Sequence, residues 1–255
     1  MVYRGKLAPG YSNWIVAGYK GHTAFYSYLN EIVADTAWKK EQDFPRADDV
    51  RCLNDMWDAL CDACGHQATH GRSVDSDAAI EEALKHVAIY GVLILEKGAP
   101  GGDSTRTVEN VIGAVRQLSA IRCPSTETPD LSYAEALIIE TCGAIHSAKN
   151  QDYAGSGSDP LRNFRACERV GIPAHLGALT RMSDKQSRLE SLGLYIGEVT
   201  RAHVADESID NTLVDLINYA LLTAVLRQES AASHNRLTTW AARQATRFLP
   251  VRMAL

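Results

Sequence analysis

The stretch IDNTLVDLINY at residues 209–219 decides the fold, because the earlier stretch IEEALKHVAIY at residues 80–90 repeats its apolar positions. In both stretches the apolar residues recur at the spacing of one face of an α-helix, and both end in tyrosine. When the two stretches are aligned, Tyr90 falls on Tyr219. Two parts of the chain are therefore expected to form equivalent helices.

The correspondence continues upstream in the same order. Asp55 aligns with Asp184 at the same offset as the two tyrosines, and Glu31 aligns with Glu140 at a shorter offset. The change of offset indicates an insertion in the second copy, around residues 155–173. Any two amphipathic helices share apolar spacing, but three helices in one order with matching polar positions favour a tandem duplication.

Helical periodicity extends along most of the chain, and glycine and proline interrupt it. The candidate helices span residues 22–41, 48–64, 75–97, 105–120, 131–150, 172–194, 207–228 and 234–248. We expect Asp75 or Asp77 to cap the third of these and Asp206 to cap the helix beginning at residue 207. No alternating strand pattern persists, so the sequence predicts an all-α helical bundle built from two tandem, diverged three-helix repeats.

The duplication also suggests the organisation of the chain. Residues 1–120 form a degenerate helical repeat, residues 131–226 a repeat that carries the active site, and residues 227–255 a helical tail. A three-helix module buries too little apolar surface to be stable alone. We therefore expect residues 22–97 to pack on residues 131–226 as a pseudo-symmetric partner within one domain.

The composition of the 255 residues is that of a soluble globular protein, with 45% hydrophobic and 22% charged residues. The net charge of -5 argues against a general nucleic-acid binder but leaves room for a small anionic ligand. We see no apolar run near the roughly 20 residues of a membrane span and no signal peptide. A cytoplasmic location with six free cysteines is expected.

One group of potential metal ligands lies in the first copy: Cys61, Cys64, His66 and His70. These four side chains offer the ligand types of a zinc site. The Cys61–Cys64 spacing also fits the core stripe of a helix, and zinc motifs usually separate their ligand pairs by a dozen or more residues. The spacing favours a helix end with solvent-facing histidines over a zinc site.

The second copy concentrates acidic residues on one helix. Glu207, Asp210 and Asp215 share a face there, and carboxylate oxygens are the ligands that Mg²⁺ and Mn²⁺ prefer. The helix dipole alone accounts for acidic residues in the first turn. Asp215, however, follows two turns later among apolar residues, where a carboxylate needs a partner. The pattern predicts a metal site, to which Asp184 adds a further ligand.

Basic residues accompany this acidic row. Lys185 and Arg188 lie on the preceding helix, where they suit phosphate oxygens, although such residues also form ordinary ion pairs on exposed helices. Lys149 ends an earlier helix, and Asn163 and Phe164 follow a glycine-rich stretch in which they can contact a base. That stretch has no P-loop lysine.

These residues together resemble a known family. The motifs are Lys149-x-x-Asp152-Tyr153, Asn163-Phe164, Arg181-x-x-Asp184-Lys185-x-x-Arg188, and Glu207-x-x-Asp210 followed by Asp215, Asn218 and Tyr219. Over residues 131–226 they resemble the nucleotide modification associated helical domain of phages and bacteria, which is similar to the MazG-type all-α nucleoside triphosphate pyrophosphohydrolases. No Glu-x-x-Glu pair precedes Glu207, so Asp184 or Glu140 would substitute for it.

The resemblance implies an activity and a set of site residues. The activity is Mg²⁺- or Mn²⁺-dependent hydrolysis of a (deoxy)nucleoside triphosphate, first of all dGTP, to the monophosphate and pyrophosphate. The catalytic and metal-binding set is Glu140, Asp184, Glu207, Asp210 and Asp215, and the substrate-binding set is Lys149, Asp152, Tyr153, Asn163, Lys185, Arg188 and Asn218. It also implies a homo-oligomer that binds neither membranes nor nucleic acid directly, in the host cytoplasm if the protein belongs to a phage. The rival hypothesis is a non-catalytic nucleotide-binding or scaffold protein of a DNA-modification pathway.

The first copy lacks the charges of the second. Its residues at the positions of Glu207, Lys185, Arg188 and Asp215 are Ala78, Met56, Ala59 and His86. We therefore expect the first copy to have no active site of its own. At most, it contributes Glu31, Asp55 or Glu81 to the rim of the active site in the second copy.

Overall fold

The computed structural model describes a defined part of the chain. The described residues are 28–29, 31–32, 34–36, 38–39, 42, 44–97, 138, 141–146, 148–149, 152, 161–198 and 208–247. From residue 232 onward the description is limited to the backbone. The predicted helix at residues 105–120, and the predicted site residues Glu140, Tyr153 and Glu207, lie outside these residues.

The described residues form helices joined by short turns. The helices are α1 (Arg46–His70), α2 (Val74–Lys97), α3 (Arg162–Arg165), α4 (Ala174–Ser191) and α5 (Ile209–Arg247), with a 3₁₀ helix at Ala166–Val170. The described positions between residues 28 and 39, and between 138 and 152, are helical as well. No strand occurs in the part of the chain that the structure describes, and the predicted all-α class is confirmed.

Serine residues begin the two central helices. At α2, the Ser76 backbone N–H donates to Ser73 Oγ at 3.1 Å, and the Ser73 N–H donates to Ser76 Oγ at 3.0 Å. This reciprocal pair satisfies donors that the first helical turn leaves open. At α5, the Asn211 N–H donates to Ser208 Oγ at 3.2 Å. The predicted cap at Asp75 or Asp77 was therefore wrong. Asp206, the cap predicted for the last helix, lies outside the described residues.

Two helices are longer than predicted. The helix predicted to end at residue 64 continues to His70 and stops at Gly71, whose φ of 85° is a left-handed conformation that glycine adopts easily. Residues 207–228 and 234–248 were predicted as two helices, but α5 is continuous from Ile209 to Arg247. The intervening ESAAS sequence at residues 229–233 contains neither glycine nor proline, so nothing in it ends the helix.

All four candidate zinc ligands lie on α1. The helix runs without interruption through Cys61, Cys64, His66 and His70, and the rings of His66 and His70 stack with their centroids 4.4 Å apart. Cys61 is exposed and Cys64 is half-buried. Within the described residues, no three histidine, cysteine or acidic side chains are grouped so as to hold a metal ion. The four residues therefore do not form a zinc site by themselves.

The core is built around the packing of α2 on α5. α1 packs on α2, α4 packs on α5, and α2 and α5 face each other between these pairs. Most apolar residues of α2 from Ile80 to Leu95 and of α5 from Ile209 to Leu226 are buried, including Leu84, Val92, Leu213 and Leu221. Burying such side chains contributes about 1.5–3 kcal/mol each, so this layer is the main source of the stability of the fold.

The apolar character of α5 makes it long and hydrophobic enough to cross a membrane by length and composition alone. Within the segment Ile209–Ala231 an 18-residue window has a mean hydropathy of 1.3, a feature not anticipated from the sequence. In this structure 83% of that window is buried. The buried core helix of a protein can have the same length and apolar composition as a membrane-spanning helix.

Polar contacts tie α5 to the turn between α1 and α2. Arg227 is buried, and its guanidinium donates to Asp77 Oδ1 at 2.7 Å and to Gln67 Oε1 at 3.3 Å. Arg72 Nε donates to the other oxygen of Asp77 at 2.6 Å. These charge-assisted hydrogen bonds fix the positions of α1, α2 and α5 relative to one another.

The closest approach of the central helices depends on Gly91. A Cβ atom at this position would lie 2.7 Å from Ile217 Cγ1, so Gly91→Ala would force α2 and α5 apart. We expect this change to lower the free energy of unfolding by about 1–3 kcal/mol. Urea unfolding followed by circular dichroism measures the effect.

The matched control for this prediction is Gly65→Ala on α1, where an added Cβ meets nothing within 4 Å. Alanine is the better helix former, so the control should raise stability by up to about 1 kcal/mol. Equal stability of the two variants would show that α2 and α5 are not in contact at Gly91.

Candidate functional site

The most distinctive polar contact in the structure is centred on Asp215 of α5. Lys149 Nζ lies 2.5 Å from Asp215 Oδ1, and Lys185 Nζ lies 3.0 Å from Asp215 Oδ2. The carboxylate is largely buried, and each of its oxygens is paired with one lysine. From the sequence, this carboxylate was predicted to need a partner, namely a metal ion. In the structure two ammonium groups pair with it instead.

The two lysines reach Asp215 from different parts of the chain. Lys149 extends from the helical residues around 138–152, and Lys185 extends from the middle of α4. α4 presents Lys185 to α5 because this lysine shares a helix face with the buried apolar residues Ala178, Met182 and Leu189. The ion pairs therefore join three helices at one point.

A cavity of about 480 Å³ opens beside these ion pairs. The described part of its lining combines three cations, one carboxylate, two amides and three rings: Lys149, Arg181, Lys185, Asp215, Asn163, Asn218, His146, Phe164 and Tyr219. The volume falls within the range of pockets that hold small molecules and cofactors. With three cations against one carboxylate, the cavity favours an anionic ligand.

Aromatic rings form one side of the cavity. The rings of Phe164 and Tyr219 meet edge to face with their centroids 6.0 Å apart, and the His146 ring lies 6.3 Å from that of Phe164. Phe164 and Tyr219 are half-buried, so part of each ring is open to the cavity. Such a surface can pack against a flat, ring-containing ligand.

Two amide oxygens in the lining have no hydrogen-bond partner among the described residues. The Nδ2 of Asn218 donates to the carbonyl oxygen of Cys142 at 3.1 Å, which leaves its Oδ1 buried and open. Asn163 Oδ1 is buried and open in the same way. Buried acceptors normally have a donor, so these two positions are suited to N–H or O–H groups of a ligand.

His146 is neutral at physiological pH. Burial, together with the nearby charge of Lys149, lowers the pKa of His146 from 6.5 to about 4. The imidazole therefore adds no positive charge to the cavity. The sequence analysis did not include His146 among the site residues, although it lies one helical turn before Lys149 and shares its face.

The structure brings five of the predicted site residues together at the cavity: Lys149, Asn163, Lys185, Asp215 and Asn218. Four others are described but do not line it. Asp152 and Asp184 are exposed, Arg188 is half-buried, and Asp210 is buried close to the start of α5. Arg188 was predicted to contact phosphate, but it is Arg181 that lines the cavity.

No described residue of the first copy lines this cavity. Glu31 and Glu81, which were expected at its rim, line a separate cavity. Asp55 is exposed on α1 and lines neither of these two cavities. None of these three carboxylates belongs to the described lining beside Asp215, and their place at the rim of an active site stays a prediction.

Comparison of the chain with protein-family models, with curated proteins and with solved structures gave no match. The resemblance of residues 131–226 to MazG-type enzymes thus stays a prediction. Any function has to be inferred from the chemistry of the cavity itself, namely its cations, its aromatic side and its open amide oxygens.

The lowered pKa of His146 makes a prediction about stability. The unfolded chain takes up a proton below pH 6.5, whereas the folded state resists protonation until about pH 4. The free energy of unfolding should therefore fall as the pH drops through this window, and His146→Gln should reduce the fall between pH 7.5 and pH 4.5 by about 2–3 kcal/mol.

Urea unfolding of both proteins at several pH values tests this expectation, and an NMR titration of the imidazole reads the pKa directly. Parallel pH profiles for the two proteins would contradict it, because the other histidines are common to both.

Proposed function

We propose that the cavity binds a magnesium–(deoxy)nucleoside triphosphate complex and that the protein hydrolyses it to the monophosphate and pyrophosphate. The single observation that carries the proposal is the convergence of Lys149, Lys185 and Arg181 beside an aromatic surface. A nucleoside triphosphate combines a strongly negative chain of phosphates with a flat base, and the two parts of the cavity match these two parts of the ligand.

The cations have suitable chemistry for the phosphates. The ammonium groups of Lys149 and Lys185 act as compact positive charges, and the guanidinium of Arg181 can donate two parallel hydrogen bonds to one phosphate. Lys149 and Arg181 are exposed, so an incoming ligand can reach them. Phosphate oxygens would compete with Asp215 for both lysines, and binding would thereby release the carboxylate.

The other side of the cavity is suited to the base and sugar. Phe164 and Tyr219 provide an apolar surface for the base, and the open Oδ1 atoms of Asn163 and Asn218 can accept hydrogen bonds from amino or hydroxyl groups. Guanine carries an exocyclic amino group and a ring N–H, both donors. This match favours dGTP as the first substrate to test.

The magnesium ion fits the cavity as part of the substrate. Mg²⁺ is commonly held by one or two carboxylates together with phosphate oxygens, and Asp215 is the one carboxylate in the described lining. Glu140 and Glu207, which lie outside the described residues, are the further ligands that the sequence predicts. When bound, the ion neutralises phosphate charge and lowers the pKa of water. Asp215, once released from its lysines, can orient the attacking water and accept its proton.

Two observations favour the non-catalytic alternative. Both oxygens of Asp215 are paired with lysines. In addition, the described residues contain no cluster of three histidine, cysteine or acidic side chains that could hold a metal ion in the absence of nucleotide. A protein that only bound nucleotides would keep the lysines and the aromatic side and would use Asp215 to orient them. A measurement of nucleoside triphosphate hydrolysis distinguishes the enzyme from the protein that only binds nucleotides.

The proposed activity can be tested with eight (deoxy)nucleoside triphosphates and magnesium. We expect release of pyrophosphate and monophosphate, fastest with dGTP, as measured by ion-exchange chromatography. Asp215→Asn should reduce turnover by about 10²–10⁴-fold, because the amide cannot accept a proton, while nucleotide binding is kept. Asp62→Asn, on an exposed position of α1, is the matched control and should leave turnover unchanged.

Three outcomes of this experiment are informative. Loss of turnover in Asp215→Asn alone supports the enzyme. Binding without turnover in the unaltered protein supports the nucleotide-binding alternative, and no binding of any nucleotide contradicts both functions.

The role of Lys185 can be tested separately by Lys185→Met, which introduces the side chain found at the aligned position, Met56. Loss of a charged hydrogen-bond donor should weaken binding of a non-hydrolysable triphosphate analogue about 10–100-fold. Binding of the monophosphate should weaken less, because it carries fewer charges. Isothermal titration calorimetry measures both constants.

The control for this experiment is Arg51→Met, which removes an exposed cation paired with Asp48 on the surface of α1. It should change neither binding constant. An equal loss for triphosphate and monophosphate in Lys185→Met would indicate that Lys185 only holds the structure together.

A further inference from the structure

A second cavity, of about 450 Å³, lies between α2, the helical residues around 28–39 and Gln228 of α5. The described lining residues of this cavity and of the cavity beside Asp215 are all different. Its polar lining consists of Tyr28, Glu31, Glu81, Glu82, Lys85 and Gln228. The proposed function uses none of these side chains.

The charge of this cavity is negative. Three glutamates line it against one lysine, and that lysine is already engaged: Lys85 Nζ lies 2.8 Å from Glu82 Oε2 and 3.4 Å from Asp35 Oδ2. His86 contacts the same glutamate, with 3.3 Å between Nδ1 and Oε1. Burial lowers the pKa of His86, so the imidazole does not compensate the charge at neutral pH. Glu31 and Glu81 thus leave the cavity with excess negative charge.

Tyr28 provides a second and independent indication of a ligand. Its side chain is only 8% exposed, and its hydroxyl is buried with no hydrogen-bond partner in the described part of the chain. Burial, followed by the charges of Glu81, Glu82 and Glu31, raises the pKa of this hydroxyl well above its usual range. A buried hydroxyl in a protein normally has a partner, and a donor group entering the cavity would supply one.

The arrangement suits an organic cation better than a metal ion. No three acidic, histidine or cysteine side chains among the described residues are grouped closely enough to hold a metal ion. The glutamates are instead distributed over two helical segments, and Ala78 adds an apolar surface to the same lining. Negative charges on different segments beside an apolar surface match ammonium groups joined by methylene chains.

We propose that this cavity binds a linear aliphatic di- or polyamine. Its ammonium groups pair with Glu31, Glu81 and Glu82, and one N–H donates a hydrogen bond to the Tyr28 hydroxyl oxygen. The methylene chain lies against Ala78 and the Tyr28 ring. The inference does not depend on the proposed nucleotide function, because the two cavities have separate linings.

The experiment is calorimetric titration of the full chain, free of nucleotide, with spermidine at low ionic strength. Butane-1,4-diol serves as a neutral ligand of similar build and should not bind. We expect one molecule of spermidine per chain. Tyr28→Phe should weaken binding about two- to tenfold, the effect of one lost hydrogen bond. It should not lower the melting temperature, because the hydroxyl has no hydrogen-bond partner to lose among the described residues.

A charge control separates specific binding from general attraction to an acidic protein. Glu81→Gln and Glu190→Gln each remove one negative charge, but Glu190 is an exposed residue of α4 outside the cavity. Only Glu81→Gln should weaken spermidine binding. Equal weakening in both variants, unchanged binding in Tyr28→Phe, or displacement of spermidine by stoichiometric magnesium would each overturn the proposal.

Discussion

The contact between α2 and α5 is the constraint on which the rest of the structure depends. These helices approach closely at Gly91 and Ile217, and each carries another helix on its outer side. Neither helical pair alone would bury enough apolar surface to be stable. With one face of α5 committed to α2, the residues Asp215, Asn218, Tyr219 and Leu222 form a stripe at helical spacing that lines the cavity beside α4.

The packing order also bears on the duplication hypothesis. α1 and α2 pair in the first half, α4 and α5 pair in the second, and the aligned helices α2 and α5 meet at the centre. A pseudo-symmetric pair of repeats requires this order. The chemistry of the two halves differs, however: Lys185 and Asp215 form an ion pair in the second half, whereas Met56 and His86 stand at the aligned positions in the first.

Periodicity was sufficient to predict the all-α class and the limits of α2 to within one residue, because a long apolar stripe depends on local sequence alone. It was not sufficient for the caps, since Ser73 and Asp75 are both good capping residues and only backbone geometry selects one. The partner of Asp215 was harder still. The sequence showed that this carboxylate needs a cation, but Lys149 is 66 residues away along the chain, and its proximity to Asp215 follows only from tertiary packing.

The continuity of α5 has a consequence for how the sequence of the protein can vary. Asp215 faces one cavity and Gln228 faces the other, on the same uninterrupted helix. Each residue of an α-helix turns the chain by about 100° and advances it by about 1.5 Å. Inserting or deleting one residue between these positions would therefore rotate one cavity's side chains away from their partners while the other cavity stayed intact. Relatives of this protein should tolerate substitutions in this segment, but not changes in its length.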